Sequence, residues 1–492
     1  MNNVDSGKTP SWWVSLIPFA VLVAVLVLVI KAFAADALAG GSQVALMFAA
    51  GVTVAIAMVF YNIPWKTLED AMVDNIKSVG TSVIILLLIG AVAGSWMISG
   101  VVPTLIHYGM KVILPGIFLF ASCVISALIA IMTGSSWTTI ATIGVALVGI
   151  GTAQGYDPGW TAGAIISGAY FGDKVSPLSD TTVLASSSAG TSLFSHIRFM
   201  MITTVPSFAV TLIIFLVASI LHQVPDVAET VDFSADLASK FNISPWLMLV
   251  PVLTGLLIMK KVPAIITLFA ASVIAGLFAF IFQPHVISEV AVGAVDADAD
   301  FTFIEGFKGL MQSYYGATAI QTGNPDVDSL IATRGMTGML NTVFLIIAAS
   351  TFGGSLVGSG MLQSLTDALV GFVRRRTSMV AATVGTGIFA NMITGDQYLS
   401  IILTSNLYKK LYKERGYESK LLSRSVEDSA TVVSVLIPWN SCGMTQATVL
   451  KVPTMSYLPY CFFNLLSPVM SVFIAMVGYK IKRKEKPISD KE

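Results

Sequence analysis

The sequence has little charge. Only 11% of its 492 residues are Asp, Glu, Lys or Arg, where a soluble domain carries about 25%. The 28 basic residues match the 28 acidic ones, so no charge excess points to a nucleic-acid partner. Cysteine is scarce: Cys123, Cys442 and Cys461 stand far apart in apolar surroundings, with no metal spacing and no disulfide framework. No GxxxxGK[ST] loop and no large polar domain is present, which argues against an ATP-driven pump. Without HExxH or GxSxG there is no motif for membrane-embedded catalysis, so neither an enzyme nor a bound cofactor is expected. What the chain has instead is apolar surface. It is 55% hydrophobic with a mean hydropathy of +0.81, the composition of an all-α polytopic membrane protein whose main partner is the lipid bilayer.

About 20 apolar residues span the hydrocarbon core. By that measure the first crossing runs from about Val14 to Ala35, too long for a signal-peptide core, and the second from Val44 to Tyr61. A polar amphipathic stretch, Ile63–Asp74, is expected along the membrane surface, and a third crossing, Thr81–Ile98, is rich in small residues such as Gly90 and Gly94 that permit close helix packing. Lys111–Gln154 is apolar but interrupted at Thr133–Thr139, and Trp160–Ala189 is interrupted by Gly172-Asp173-Lys174-Val175-Ser176-Pro177-Leu178-Ser179-Asp180-Thr181-Thr182. Another crossing, Met200–Leu221, precedes a loop from His222 to Ser244 with Asp226, Glu229, Asp232 and Asp236. His107, His196, His222 and His285 fall in expected loops and read as solvated. Trp12, Trp13, Trp65 and Trp246 read as interface anchors.

The second half starts over. The runs Trp246–Met259 and Val262–Phe282 flank Lys260-Lys261, and an acidic loop follows with Glu289, Asp296, Asp298 and Asp300. Phe303–Lys308 resembles the stretch near Trp65, and Asn341–Gly358 is again rich in small residues. Gly94-Ser95 and Ser99-Gly100 recur 260 positions later as Gly354-Ser355 and Ser359-Gly360. Thr133-Gly134, Gly155-Tyr156 and Pro177 recur 261 positions later as Thr394-Gly395, Gly416-Tyr417 and Pro438. Basic residues mark cytoplasmic loops, which places both Arg374–Arg376 and the Lys409–Lys420 loop inside. Only about 32 residues separate them, where two crossings need about 40. That segment therefore reads as a re-entrant helical hairpin with Thr394–Gln397 at its tip, and Lys111–Gln154 as its counterpart with Thr133–Ser136 at the tip.

The expected fold is two inverted repeats, each about five transmembrane helices with one broken helix plus one re-entrant helical hairpin. The expected organisation is a cytoplasmic N-tail (1–12), a first repeat (13–222), an external linker (223–244), a second repeat (245–480) and a basic cytoplasmic tail (481–492). Such repeats place a binding site near the midplane, where half-helix ends and freed carbonyls meet.

An ionisable group at bilayer depth is a functional-site hypothesis by default. The first broken helix offers Asp173, Ser176, Asp180, Thr181 and Thr182; the hairpin tips offer Ser135, Ser136, Asp396 and Gln397; the second broken helix offers Asp428, Asn440 and Ser441. Carboxylate, hydroxyl and carbonyl oxygens suit a small hard cation. Asp173, Asp180 and Asp428 are thus the expected ligands for Na⁺, and a carboxylate that takes either Na⁺ or H⁺ makes an exchanger. Each residue also has a plain structural use. Asp173 fits an ion pair with Lys174, Asp180 fits a helix N-cap, and Glu427 fits a pair with Arg424. Trp137 and Trp439, beside the polar breaks, are expected to line the cavity.

The motif Gly172–Thr182 resembles the signature of the NhaC-type sodium/proton antiporter family, part of the ion-transporter superfamily. Gly395-Asp396-Gln397-Tyr398, Arg424-Ser425-Val426-Glu427-Asp428-Ser429 and Pro438-Trp439-Asn440-Ser441-Cys442-Gly443 are similar to it as well. The likeness runs from about Trp65 to Lys451. It implies a sodium-coupled exchanger of Na⁺ and H⁺ in a bacterial inner membrane, both termini cytoplasmic, with room for a homodimer. It also leaves room for a small organic solute, because relatives include malate/lactate exchangers; Lys174 and Arg198 are the residues that would balance such an acid.

Overall fold

The computed structural model describes residues 10–33, 40–222, 227–260, 262–292, 302–318, 320–371 and 375–481. Ala35, Asp226, Lys261, Asp296, Asp298, Asp300, Arg374 and the tail from residue 482, on which part of the charge reading rests, lie outside these, as do the side chains of Glu229 and Asp232. Among the described residues the secondary structure is helical except for one isolated bridge, Thr318 to Thr333. Eight helices there are long and apolar enough to cross a membrane, and ten if each of two bent pairs is one span. The chain is a polytopic helical membrane protein, as its composition requires.

The polar interruptions become turns. In the first hairpin, Phe118–Thr133 turns at Gly134 (φ 65°) into Ser136–Thr139, which continues through a π-helical turn, Ile140–Gly144, to Val145–Ala153. In the second, Arg376–Thr394 turns at Gly395 (φ 63°) into Gln397–Glu414. Both turns need the left-handed backbone that glycine adopts without strain. Both are closed the same way. Thr133 Oγ1 lies 3.2 Å from the carbonyl of Ser135, and Thr394 Oγ1 lies 2.9 Å from that of Asp396. Length does not make the first hairpin re-entrant: each of its limbs is long and apolar enough to cross on its own.

Each broken helix stops before a proline. Pro158–Val175 ends ahead of Pro177 and the chain restarts as Asp180–Ala189. Ser419–Val426 runs through a π-helical turn, Glu427–Thr431, and restarts beyond Pro438 as Ser441–Leu450. Proline lacks an N–H and excludes helix from the residue before it.

The small-residue crossings pack reciprocally across the halves. A Cβ added at Gly94 would meet the Ser313 carbonyl of helix Phe303–Tyr315, and one at Gly354 would meet the backbone of Met72 in helix Trp65–Ser78. Helix Trp65–Ser78 is more than a surface stretch. Its Leu68 is buried, and Asn75 Nδ2 donates to the Ser350 carbonyl at 2.6 Å. Overpacking a tight contact costs about 1–3 kcal/mol. Gly94→Ala is therefore expected to lower the unfolding temperature in detergent, whereas Gly51→Ala, with nothing within 4 Å of its added Cβ, should leave it unchanged.

Candidate functional site

Asp173 lies on the last turn of the first half-helix, buried at 4% exposure. Its Oδ2 accepts from the backbone N–H of Ser136 at 3.1 Å and from the Ser136 hydroxyl at 2.7 Å. The first hairpin tip is thus tied to the break by one carboxylate at a helix N-terminus, where the partial positive charge favours an anion. The other oxygen, Oδ1, is buried and accepts no hydrogen bond. Asp180 opens the second half-helix, but the N-cap is Ser179, whose side chain accepts from the Thr182 N–H. Asp180 is exposed; its Oδ1 accepts from the Thr181 N–H at 2.8 Å and its Oδ2 from the Tyr398 hydroxyl at 2.8 Å. Asp180 lies within electrostatic reach of Asp173.

These groups share one cavity of about 810 Å³. Its wall holds Asp173, Asp180 and Thr181 from the first broken helix, Thr133, Ser135, Ser136 and Trp137 from the first tip, and Gln397 and Tyr398 from the second. Ser78, Thr81 and Ser82, on either side of the start of the third crossing, add to the polar lining with Thr138 and Thr267. The sequence reading did not single out Ser78, Thr81 and Ser82 or place Tyr398 at the site. Their signal was the hydroxyl cluster on either side of Gly80, masked by the apolar run after it.

Other candidates hold the frame. Ser176 Oγ donates to the Ile131 carbonyl at 2.8 Å, and Thr182 Oγ1 donates to the Lys174 carbonyl at 3.1 Å. Asp396 is fully buried; its Oδ1 accepts from the Leu399 N–H at 2.9 Å, capping the second tip. Ser441 supports that tip, with its N–H 2.7 Å from the Gly395 carbonyl and its Oγ 3.4 Å from Asp396 Oδ2. Asn440 caps the second half-helix through Cys442 N–H and donates to Asn391. Trp439, expected in the cavity, donates to the Met392 carbonyl at 2.7 Å instead and is not part of the lining.

Asp428 lies apart from Asp173 and Asp180: it is not part of the cavity wall that holds those two. Among the described residues no group of three His, Cys, Asp or Glu is disposed to hold a metal ion. Lys174, adjacent to Asp173 but paired elsewhere, forms a fully buried ion pair with Asp428 across 254 positions of chain. Thr203 Oγ1 at 3.2 Å and Ser467 Oγ at 3.1 Å donate to the same carboxylate oxygen. Arg424 extends toward Asp428, 3.9 Å away at Nε, rather than pairing with Glu427. Both Glu427 oxygens are buried without a hydrogen bond. His196 is also corrected: it is fully buried in helix Leu193–Leu221, with Nδ1 2.8 Å from Ser423 Oγ.

A model described as the Na⁺/H⁺ antiporter family matches residues 9–190 and 168–479. The chain is similar to the Na⁺/H⁺ antiporter NhaC of Bacillus subtilis, 35% identical over 433 residues, covering 88% of this chain and 91% of that one. It is 36% identical to the NhaC of Alkalihalophilus pseudofirmus over 438 residues, covering 88% and 90% respectively. A malate-2H⁺/Na⁺-lactate antiporter of Bacillus subtilis is 33% identical over 419 residues, covering 84% of this chain and 85% of its own. With the matched segments spanning most of its length, the chain belongs to the Na⁺/H⁺ antiporter family.

Proposed function

We propose that the protein is a secondary active transporter that exchanges Na⁺ for H⁺ by alternating access, in a bacterial inner membrane and with both termini cytoplasmic. The observation that carries this reading is Asp173: a carboxylate fixed between a hairpin tip and a helix break, on the wall of a partly apolar cavity whose polar groups are hydroxyls, a second carboxylate and the Gln397 amide. Na⁺ is the substrate and reaches Asp173 and Asp180 through that cavity, with Ser135, Ser136, Thr181 and Gln397 as further oxygen donors. Na⁺ and H⁺ compete for the carboxylate, and that competition is the exchange. The recurrence of hairpin and broken helix in each half supports inverted repeats around the site.

An organic-acid exchanger is the second reading. Lys174 is occupied by Asp428, and Arg198 is exposed, which removes the two cations proposed to balance a carboxylate substrate. Arg424, buried with no hydrogen bond to any of its three nitrogens, is the observation that keeps this reading open. Counterflow of labelled organic acids in proteoliposomes separates the two: Na⁺/H⁺ exchange with no organic solute present favours the first.

Tyr398→Phe removes the hydrogen bond to Asp180. A loss of about 0.5–1.5 kcal/mol corresponds to roughly a two- to tenfold rise in the Na⁺ concentration giving half-maximal exchange. Titration of vesicles with Na⁺ measures it.

A further inference from the structure

The cavity at Asp173 and Asp180 is larger than a metal ion needs. It measures about 810 Å³, within the range of about 300–1,000 Å³ typical of organic-ligand sites. A bare ion with its shell of oxygens leaves most of that unfilled. Ile85, Leu184, Ile258, Val262 and Ile402 give the cavity an apolar wall, and Trp137 and Tyr398 add two half-buried aromatic rings. The charge in the lining has one sign. Asp173 and Asp180 are acids, and no Lys, Arg or His is among the described residues that line it. An organic anion or a zwitterion would find no cation there to pair with its carboxylate. An organic cation finds carboxylates, aromatic faces and apolar surface together, the combination that recognises ammonium and guanidinium groups.

Asp180 supplies the docking point. It is exposed, whereas Asp173 is buried and tied to Ser136. Its Oδ1 accepts from the Thr181 N–H and its Oδ2 from the Tyr398 hydroxyl, each at 2.8 Å. A carboxylate oxygen has room for about two donors, so each oxygen can take one further N–H. A guanidinium presents two parallel N–H groups that match the two oxygens of one carboxylate, and its plane stacks on an aromatic ring. Tyr398, hydrogen-bonded to Asp180, holds such a ring beside that carboxylate.

We propose that the exchanger also accepts small organic cations with N–H donors, a guanidinium or a primary ammonium on a short apolar chain, in place of Na⁺ in this cavity. The proposal rests on the Na⁺/H⁺ exchange reading, because the organic cation enters the same competition with H⁺. Its charged end sits at Asp180, within electrostatic reach of Asp173, so that a cation at one carboxylate and a proton at the other disfavour each other. Its hydrocarbon lies along the apolar wall, where Na⁺ gains nothing. A quaternary ammonium of equal charge has no N–H to give Asp180 and is discriminated against.

The test uses the full-length protein in proteoliposomes with an internal pH dye. Inward gradients of Na⁺, n-butylguanidinium or tetramethylammonium are applied in separate runs. n-Butylguanidinium stays charged at neutral pH and so does not cross the bilayer as a free base; protein-free liposomes should give no response. It is expected to raise the internal pH with no Na⁺ present, and tetramethylammonium to do so at least roughly tenfold more slowly. Ala264→Leu puts a larger side chain on the apolar side of the cavity. It should slow the response to n-butylguanidinium roughly tenfold and leave the response to Na⁺ unchanged. Leu184→Phe fills the cavity from another helix and serves if the first variant does not fold. Four results overturn the proposal: no response to n-butylguanidinium, an equal response to tetramethylammonium, block of the Na⁺ response by n-butylguanidinium without proton movement of its own, or equal losses for both cations in the filled variants. No response to Na⁺ in the unaltered protein would instead refute the exchange reading.

Discussion

Asp173→Asn is expected to abolish Na⁺-driven proton movement, lowering it at least 100-fold in everted vesicles, while the protein stays folded. The substitution keeps the shape of the side chain and an oxygen that can accept from Ser136, whose hydroxyl and N–H hold it at 2.7 and 3.1 Å. It removes the negative charge and the protonatable oxygen together. Both are required if one group takes Na⁺ in one half of the cycle and H⁺ in the other. Burial sharpens the effect, since the interaction between a cation and a carboxylate is several times stronger at low effective dielectric than in water. Asp180→Asn is expected to act in the same direction, because Asp180 shares the cavity wall.

The second large effect is on stability. Lys174 and Asp428 are both fully buried and pair with each other. Removing one partner leaves an uncompensated charge away from water, which costs about 3–5 kcal/mol. Lys174→Ala leaves Asp428 with the hydroxyls of Thr203 and Ser467 and with Arg424 Nε 3.9 Å away. Asp428→Ala strands Lys174, which keeps only Ser467 Oγ at 2.9 Å and the Phe463 ring at 5.5 Å. Each single variant should therefore unfold well below the parent in detergent. Replacing both residues, Lys174→Met with Asp428→Leu, should recover part of the loss, because an apolar pair of similar volume carries no desolvation penalty of its own, while buried Arg424 loses the carboxylate 3.9 Å away. A double-mutant cycle on unfolding temperatures measures the coupling. Additive losses would show that the two residues do not act as a pair.

Much of this architecture was legible in the sequence, for reasons specific to membranes. Lipid allows irregular backbone only where protein or a water-filled cavity surrounds it, so Pro177, Pro438, Gly134 and Gly395 could appear in apolar runs only as breaks and turns. All four positions are breaks or turns in the structure. The reading also brought Asp173, Asp180, the first tip and Gln397 to one site, and they share a cavity wall.

What was not legible is side-chain partnership across the halves. Lys174 stands next to Asp173, which suggested a local ion pair, but neighbours on a helix point in different directions. Its partner is 254 positions away, and no periodicity relates positions so distant. His196 was misplaced for a related cause. His196 and Arg198 look like a polar turn, yet the helix begins at Leu193, and the face carrying His196 is covered by Ser423 from the other half. Ser176, Thr182 and Asn440 have the chemistry of cation ligands, and each also bonds a backbone group that the sequence did not disclose: the Ile131 carbonyl of the first hairpin, the Lys174 carbonyl and the Cys442 N–H.

Na⁺/H⁺ exchange is tested with purified protein in proteoliposomes, given an inward Na⁺ gradient, no organic solute and an internal pH dye. The account predicts that Na⁺ entry drives protons out and raises the internal pH, and that Asp173→Asn abolishes the response. Internal pH that stays constant until a small organic acid is supplied, or an Asp173→Asn protein that exchanges as the parent does, would contradict it.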